Sequence, residues 1–323
     1  MRIDSPLLAL VGPTATGKTA LAIELAERLR DIATFEVVSA DSRQIYRRLD
    51  IATAKPTPAQ RAALPHHLID VVDPNQTYTL ADYQRDATAT IQAIHARGAV
   101  PMLVGGTGLY VRAVMDGLVI PAVAPDPELR ARLEAEAAAG GPDALFQRLV
   151  ALDPVAAARI DRANVRRLVR ALEVCLVTGR PFSEQQRTRT PEYNTLALGL
   201  NMDRQALYAR ADARIDAMLG AGLVEEVRAL VAAGYDWSLP SMSSLGYREL
   251  GAYLRGEATP DDAVARFKLD THAYIRRQLS WFRPDNRIHW LDAALPLDEL
   301  VRDAAGSVRA WLLAGGVAKI FAP

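Results

Sequence analysis

"LLALVGPTATGKT", residues 7–19, joins an apolar run to a loop of the pattern Gly, four residues, Gly, Lys, Thr. A short apolar run closed by glycine reads as a buried strand, and Leu21, Leu25 and Leu29 beyond the loop give the following stretch one apolar helical face. Strand, loop and helix in this order make a phosphate cradle. Gly12 and Gly17 let backbone N–H groups turn inward with no Cβ in the way, and Pro13, Thr14, Ala15 and Thr16 form the wall between them. The helix N-terminus adds the positive end of its dipole. Lys18 is placed to meet the terminal phosphates, and the Thr19 hydroxyl to ligate Mg²⁺.

Working outward, "FEVVSA" (35–40), "HLIDVV" (67–72) and "AVPMLVGG" (99–106) read as further buried strands, with helical patterns at 18–30 and from Leu80 to Arg97. Strands alternating with helices predict a parallel sheet covered on both faces. After Pro121 the chain becomes rich in Ala, Leu, Arg and Glu, with Asp-Pro pairs and a Gly-Gly break that cap and separate helices. Strand signals return only at "TLALGLNM" (195–202); helices follow from Arg204 to about Phe282, and "IHWLD" (288–292) reads as a last strand. The expected fold is therefore α/β, a P-loop NTPase-like parallel sheet flanked by helices. Residues 1–121 and 192–323 form the core with its C-terminal helices, and 122–191 an all-helical insertion domain. The tail after Ala293 carries little signal.

With 323 residues, 50% of them apolar, the chain can bury a substantial core. It contains no apolar run of about 18 residues or more, and the glycine-rich loop comes too early for a cleavable signal, so a cytoplasmic protein without a membrane partner is expected. No obligate protein partner is evident. The single cysteine, Cys175, excludes an internal disulfide, and its apolar neighbours make it a structural thiol. Lys plus Arg and Asp plus Glu both total 38, so net charge points to no polyanion. Its distribution does: residues 162–190 hold seven arginines against two glutamates, and residues 266–289 hold six Lys or Arg against two Asp. Two such clusters in a neutral chain suggest a localised groove for phosphates.

In sheets of this kind ligands bind beyond the carboxyl ends of strands, where two polar stretches lie. "SADSRQIY" (39–46) offers a carboxylate at Asp41 that could accept a proton, although Asp41 and Ser42 also suit a helix cap. "GGTGLY" (105–110) combines close backbone approach with the Thr107 hydroxyl, or makes a plain glycine-rich turn. A phosphoryl-transferring enzyme would also need an acid for Mg²⁺, and Asp70 is the nearest candidate. His66 and His67 read as structural, with no spaced carboxylate ligands.

Taken together, "GPTATGKT" (12–19), "SADSRQIY" (39–46), "TAKP" (53–56), "HHLIDVVDP" (66–74), "LVGGTGLY" (103–110), "RLVRALEV" (167–174), "LGYREL" (245–250) and "RRQLSWFR" (276–283) resemble, in order, the motifs of the tRNA dimethylallyltransferases. The resemblance runs from about residue 7 to 292. It implies transfer of a five-carbon unit from dimethylallyl diphosphate to N6 of adenosine 37, beside the anticodon, in tRNAs reading codons that begin with U. The cradle would then hold a diphosphate that leaves, and no phosphoryl group would move. Allylic C–O cleavage builds negative charge on that diphosphate, and Lys18, Thr19, the amides of residues 14–19 and Mg²⁺ would stabilise it. Thr107 matches the family's active-site threonine, Arg214 its diphosphate-supporting arginine, and Asp41 the carboxylate that orients N6 and takes its proton.

The resemblance also implies an interface for the tRNA anticodon stem-loop. It includes Asp41 with Ser42, Arg43 and Gln44; Arg130; and Arg166, Arg167, Leu168, Val169 and Arg170, with Arg166 and Arg170 on one helical face. Ser243, Ser244, Leu245, Gly246, Tyr247 and Arg248 offer a glycine turn with an aromatic and a cation. Arg276, Arg277, Gln278, Leu279, Ser280, Trp281, Phe282 and Arg283 interleave arginines for phosphates with aromatics for bases, although Leu279 and Phe282 also fit a core face. Ala52 stands where the family usually has glycine, and "DRANVRR" (161–167) lacks the usual proline and second aspartate. A P-loop kinase would leave the two arginine clusters without a role, and an isopentenyltransferase of free adenine nucleotides would be a shorter chain with fewer arginines. An RNA-binding module without catalysis would not need the cradle.

Overall fold

The structure, a computed structural model, describes residues 5–121, 123–185, 187–188 and 193–314. They fall into two compact units: one holds the described residues up to Met115 and from Tyr193 onward, the other those from Asp116 to Thr188. The first unit begins with β1 (Pro6–Val11), α1 (Lys18–Arg28), β2 (Phe35–Ser39), α2 (Pro58–Ala63), β3 (His66–His67), α3 (Leu80–Ala96), β4 (Val100–Gly105) and α4 (Gly108–Met115). The second unit contributes β5 (Leu118–Val119), α5 (Pro127–Gly140), α6 (Pro142–Leu152), α7 (Pro154–Ala157), α8 (Val165–Thr178), α9 (Phe182–Gln185) and β6 (Arg187–Thr188). The first unit resumes with β7 (Asn194–Asn201), α10 (Arg204–Gly220), α11 (Leu223–Ala232), α12 (Tyr247–Leu254), α13 (Pro260–Phe282), β8 (Ile288–Asp292) and α14 (Leu297–Ala314).

The sheet of the first unit has six parallel strands in the order β3-β2-β4-β1-β7-β8. β1 lies between β4 and β7, with Leu10 opposite Val104 on one side and Leu198 on the other. Its side chains alternate between two cores. Leu8 and Leu10 pack with Leu21 and Leu25 of α1 and Val301 and Val308 of α14, while Leu7, Ala9 and Val11 pack with Tyr83 and Ile91 of α3 and Val111 and Val114 of α4. This double burial explains why β1 reads as an unbroken apolar run. Capping fixes the helix starts: Thr79 and Asp82 form a reciprocal capping box at α3, and Asp203 and Thr259 cap α10 and α13.

The run expected as a strand over 67–72 pairs only at His66–His67. Leu68 and Asp70 take left-handed φ values of 60° and 59°, which end the ladder, and Val72 makes an isolated bridge to Tyr46. The tail after Ala293 forms α14, whose Leu300, Val301, Ala304, Val308 and Leu312 complete one face of the sheet.

The second unit starts at Asp116, where α4 has ended, and not at residue 122; β5 and β6 pair antiparallel within it. Ala122, Pro191 and Glu192, at the expected boundaries, lie outside the described residues, as does Arg189 of the arginine-rich stretch. The core of this unit joins Leu133 of α5, Leu145 and Leu149 of α6 and Leu168, Leu172 and Cys175 of α8. Cys175 is buried, and burial pushes its thiol pKa up, as suits a structural residue. Asn164 caps α8 by accepting from the Arg167 N–H, so that helix starts cleanly without the family's proline. Among the described residues no helix is long and apolar enough to cross a membrane.

Candidate active site

The cradle leaves β1 at Gly12, whose φ is +137° and where a Cβ would stand 2.5 Å from the Leu200 carbonyl oxygen of β7. Only glycine fits this approach. Gly17, at φ +89°, closes the loop as the left-handed N-cap of α1. Thr16 Oγ1 donates to the Pro13 carbonyl at 2.9 Å, and Lys18 Nζ folds back to the same carbonyl at 2.6 Å. Burial pulls the Lys18 pKa down to about 7; the Arg214 charge adds to the fall and Asp41 opposes it. Among the described residues the Thr19 hydroxyl makes no hydrogen bond. Thr19 lies in the first turn of α1, and its hydroxyl is a hard oxygen donor of the kind that suits Mg²⁺.

The ends of β2 and β4 are tied together beside the loop. Ala40 N–H donates to the Val104 carbonyl at 2.8 Å and Thr107 N–H to the Ala40 carbonyl at 3.1 Å. A Cβ on Gly105 would fall 2.2 Å from the Ala40 oxygen. Asp41 Oδ1 accepts the Arg43 N–H at 2.9 Å, which makes the segment a turn, not a helix start. Ser42 N–H donates to Thr107 Oγ1 at 3.0 Å. Asp41, Ser42 and Thr107, read from two separate motifs, thus stand together.

From α10, Arg214 reaches the same charges. Burial lowers its pKa, the Asp41 carboxylate opposes that, and Arg210 reinforces it; its guanidinium has no hydrogen bond or ion pair among the described residues. Lys18 and Arg214 thus both lie within electrostatic reach of Asp41, and positive charge gathered there favours an anion. Sequence reading missed Arg210 and Tyr274. Arg210 lies one turn before Arg214, and its Nη2 would come within 3.4 Å of a Cβ on Gly17; the four-residue spacing was its only signal. Tyr274, one turn before Gln278 on α13, is pushed up to about 12 by burial and the Asp41 charge, with the Thr107 hydroxyl acting the other way.

The expected RNA residues separate by exposure. Arg276, Arg277 and Ser280 of α13 and Arg283, its C-cap, are exposed, with Arg276 Nη1 3.1 Å from the Tyr208 hydroxyl and Arg277 over the Tyr274 ring. Gln278, Leu279 and Phe282 are buried between them and present nothing to RNA. Trp281 packs on α4, where a Cβ on Gly108 would meet its Cβ at 2.7 Å. Gln44 is spent internally, accepting from Ser39 Oγ and donating to the Thr53 and Ala54 carbonyls. Arg43 donates to the Pro240 carbonyl at 2.8 Å. In the 243–248 turn, Ser243 and Arg248 are exposed and Leu245 partly so, whereas Ser244, Gly246 and Tyr247 are buried. Tyr247 donates to Glu226 at 2.6 Å, and Arg248 pairs with Glu249 and Asp270. Gly246, at φ +88°, leaves room for Ala52, whose Cβ would lie 2.9 Å from a Cβ there. The alanine in place of the family's glycine is thereby accommodated.

Within the second unit Arg166 and Arg167 are exposed at the start of α8, but Leu168 and Val169 are core. Arg130 and Arg170 clasp the fully buried Glu173: Arg130 binds both carboxylate oxygens at 2.8 Å, and Arg170 one at 2.7 Å. Burial works to raise the Glu173 pKa, yet Arg130, the Asp126 amide and Arg170 outweigh it and hold it at about 2. These two arginines are first of all struts of the helical unit.

Asp70, the acid a kinase would use, accepts from Lys55 Nζ at 2.5 Å and Arg61 Nη1 at 2.9 Å. Burial resists, but the two cations hold its carboxyl below the usual range and occupy both oxygens. His67 pairs with Glu36, and His66 Nδ1 lies 2.6 Å from the Leu64 carbonyl oxygen, both structural contacts.

The family model described as "IPP transferase" matches residues 44–285, and the model "Isopentenyl transferase" matches residues 5–70. The chain belongs to the IPP transferase family, that of the tRNA dimethylallyltransferases. It is 53% identical to the tRNA dimethylallyltransferase of Roseiflexus sp. (strain RS-1) over 95% of this chain and 99% of that one. It is 46% identical to that of Geobacter metallireducens over 93% and 96%. The crystal structure of the tRNA isopentenylpyrophosphate transferase from Bacillus halodurans superposes with a TM-score of 0.72 at 39% identity, covering 97% of this chain and 98% of that one. A eukaryotic dimethylallyltransferase acting on tRNA gives 0.77 at 28% identity, covering 95% and 77%. Membership in this family of tRNA dimethylallyltransferases covers both the cradle and the arginine-bearing helix α13.

Proposed function

We propose that the protein transfers the dimethylallyl group of dimethylallyl diphosphate to N6 of adenosine 37 in the anticodon loop of tRNAs that read codons beginning with U. Its membership of the tRNA dimethylallyltransferases supports the reaction class. The observation that carries the mechanism is that the Asp41–Ser42 turn is hydrogen-bonded to Thr107, with the Asp41 carboxylate within electrostatic reach of Lys18 and Arg214. The cations, the loop amides and the Thr107 hydroxyl bind the diphosphate and stabilise the charge that grows on it as the allylic C–O bond breaks. The new bond forms between that carbon and N6, and Asp41 takes the N6 proton. Thr19 would hold a Mg²⁺ ion there, which would supply further charge neutralisation to the leaving diphosphate.

Adenosine has to leave its stack to reach this site, and the exposed Arg276, Arg277 and Arg283 suit the phosphates of the anticodon stem-loop. The occupied carboxylate of Asp70 removes the acid that a phosphoryl-transfer reading requires. The test is an incubation of the protein and Mg²⁺ with unmodified tRNA carrying A36-A37-A38 and either dimethylallyl diphosphate or ATP. Nucleoside mass spectrometry should show one five-carbon unit gained on adenosine, with diphosphate released and ATP inert. Prenylation of AMP alone, or phosphorylation from ATP, would sink the proposal.

A further inference from the structure

Gln278 sits inside α13 and is 4% exposed. Its Oε1 accepts the Thr14 N–H of the cradle at 2.9 Å, and its Nε2 donates to the Gly106 carbonyl at 3.0 Å. One planar amide thereby joins the loop after β1 to the turn after β4. The fit leaves no slack, because a Cβ on residue 106 would stand 2.2 Å from Nε2. Glutamine is the side chain that this bridge asks for. Asparagine is one methylene short, and glutamate would set an oxygen against the Gly106 carbonyl. The bond also withdraws the Thr14 amide from the donors open to a ligand.

We infer that Gln278 is a positioning residue for the donor diphosphate, fixing the spacing between the cradle and the Thr107 turn, and not an RNA contact. The inference rests on the cradle being the diphosphate site. Gln278 neighbours the exposed Arg276 and Arg277 in sequence, so the helix that carries those arginines is pinned to the cradle from its inner face. Breaking the bridge leaves the buried Gly106 carbonyl and the part-buried Thr14 N–H without these partners and lets the two loops drift apart, and misplacement of this kind degrades binding and chemistry together.

The test uses the full chain and calorimetric titration with inorganic diphosphate and Mg²⁺, without RNA. Gln278→Met keeps the volume and removes both bonds. It should weaken diphosphate binding roughly tenfold and raise the KM for dimethylallyl diphosphate to match, with tRNA affinity and its salt dependence unchanged. Gly106→Ala pushes the amide aside from the opposite loop and should give the same split, which keeps the inference testable if Gln278→Met fails to fold. Arg276→Ala with Arg277→Ala should give the reverse split. Diphosphate affinity within twofold of wild type in a folded Gln278→Met protein, or a loss confined to tRNA affinity, would overturn the inference alone. Wild-type protein that binds no diphosphate would overturn the cradle reading and the inference with it.

Discussion

Asp41→Asn separates a base from a binding residue. The Asp41 turn depends on one hydrogen bond, Oδ1 from the Arg43 N–H at 2.9 Å, which an asparagine carbonyl reproduces, so the backbone should keep its course. What disappears is basicity and one negative charge. Loss of a positioned general base slows chemistry by about 10²–10⁴, or about 2.7–5.5 kcal/mol at 1.36 kcal/mol per decade. The charge works in the other direction: Asp41 is the carboxylate that offsets Lys18 and Arg214, so its removal leaves the cradle more cationic. Donor affinity should therefore hold or rise while the rate falls. A single-turnover quench experiment with labelled donor, saturating enzyme and unmodified tRNA reads the first quantity, and diphosphate titration the second. A rate within threefold of wild type, or a fall explained wholly by weaker diphosphate binding, would refute the assignment.

Other perturbations read the remaining parts. Arg214→Ala removes a cation without a partner of its own and should raise the KM for the donor roughly 10- to 100-fold, the equivalent of a charge-assisted bond of about 1.5–3 kcal/mol, with tRNA affinity unchanged. Replacing Arg276 and Arg277 by Ala should weaken tRNA binding and flatten the logarithmic salt slope by about 0.7–0.9 for each phosphate no longer neutralised; equal slopes would make both residues structural. Glu173→Ala should destabilise the helical unit by about 3 kcal/mol, the low end for a broken buried pair, because Arg130 and Arg170 keep a path to water; chemical denaturation measures it. The Glu173 pKa is depressed, so its contribution is present above the ordinary value of 4.5 and is lost as pH falls toward about 2. A wild-type melting temperature that loses nothing to acid relative to Glu173→Ala over that window would contradict the assignment.

The central sheet and the cradle are legible in the sequence because their determinants are local. A strand buried on both faces has to be apolar throughout, and a loop at φ +137° and +89° has to place glycine at residues 12 and 17. The same locality misleads at 67–72, where the apolar pattern continues although Leu68 and Asp70 turn left-handed to deliver a carboxylate to Lys55 and Arg61. It also gives no warning of α14, whose apolar face is meaningful only against the sheet it covers.

Residue type alone fixed which groups can cradle a phosphate, move a proton or meet RNA. Which of them face the cradle and which serve the fold was decided by tertiary structure. Gln278 lies between two exposed arginines and the core residue Leu279 in the sequence, yet its amide finds partners 264 and 172 residues away. Arg130 and Arg170 read as phosphate contacts until a buried glutamate claims them. The physical reason is the same in each case. A polar group that is removed from water has to be satisfied within the fold, and its partner is set by the packing of distant segments, which no local pattern records.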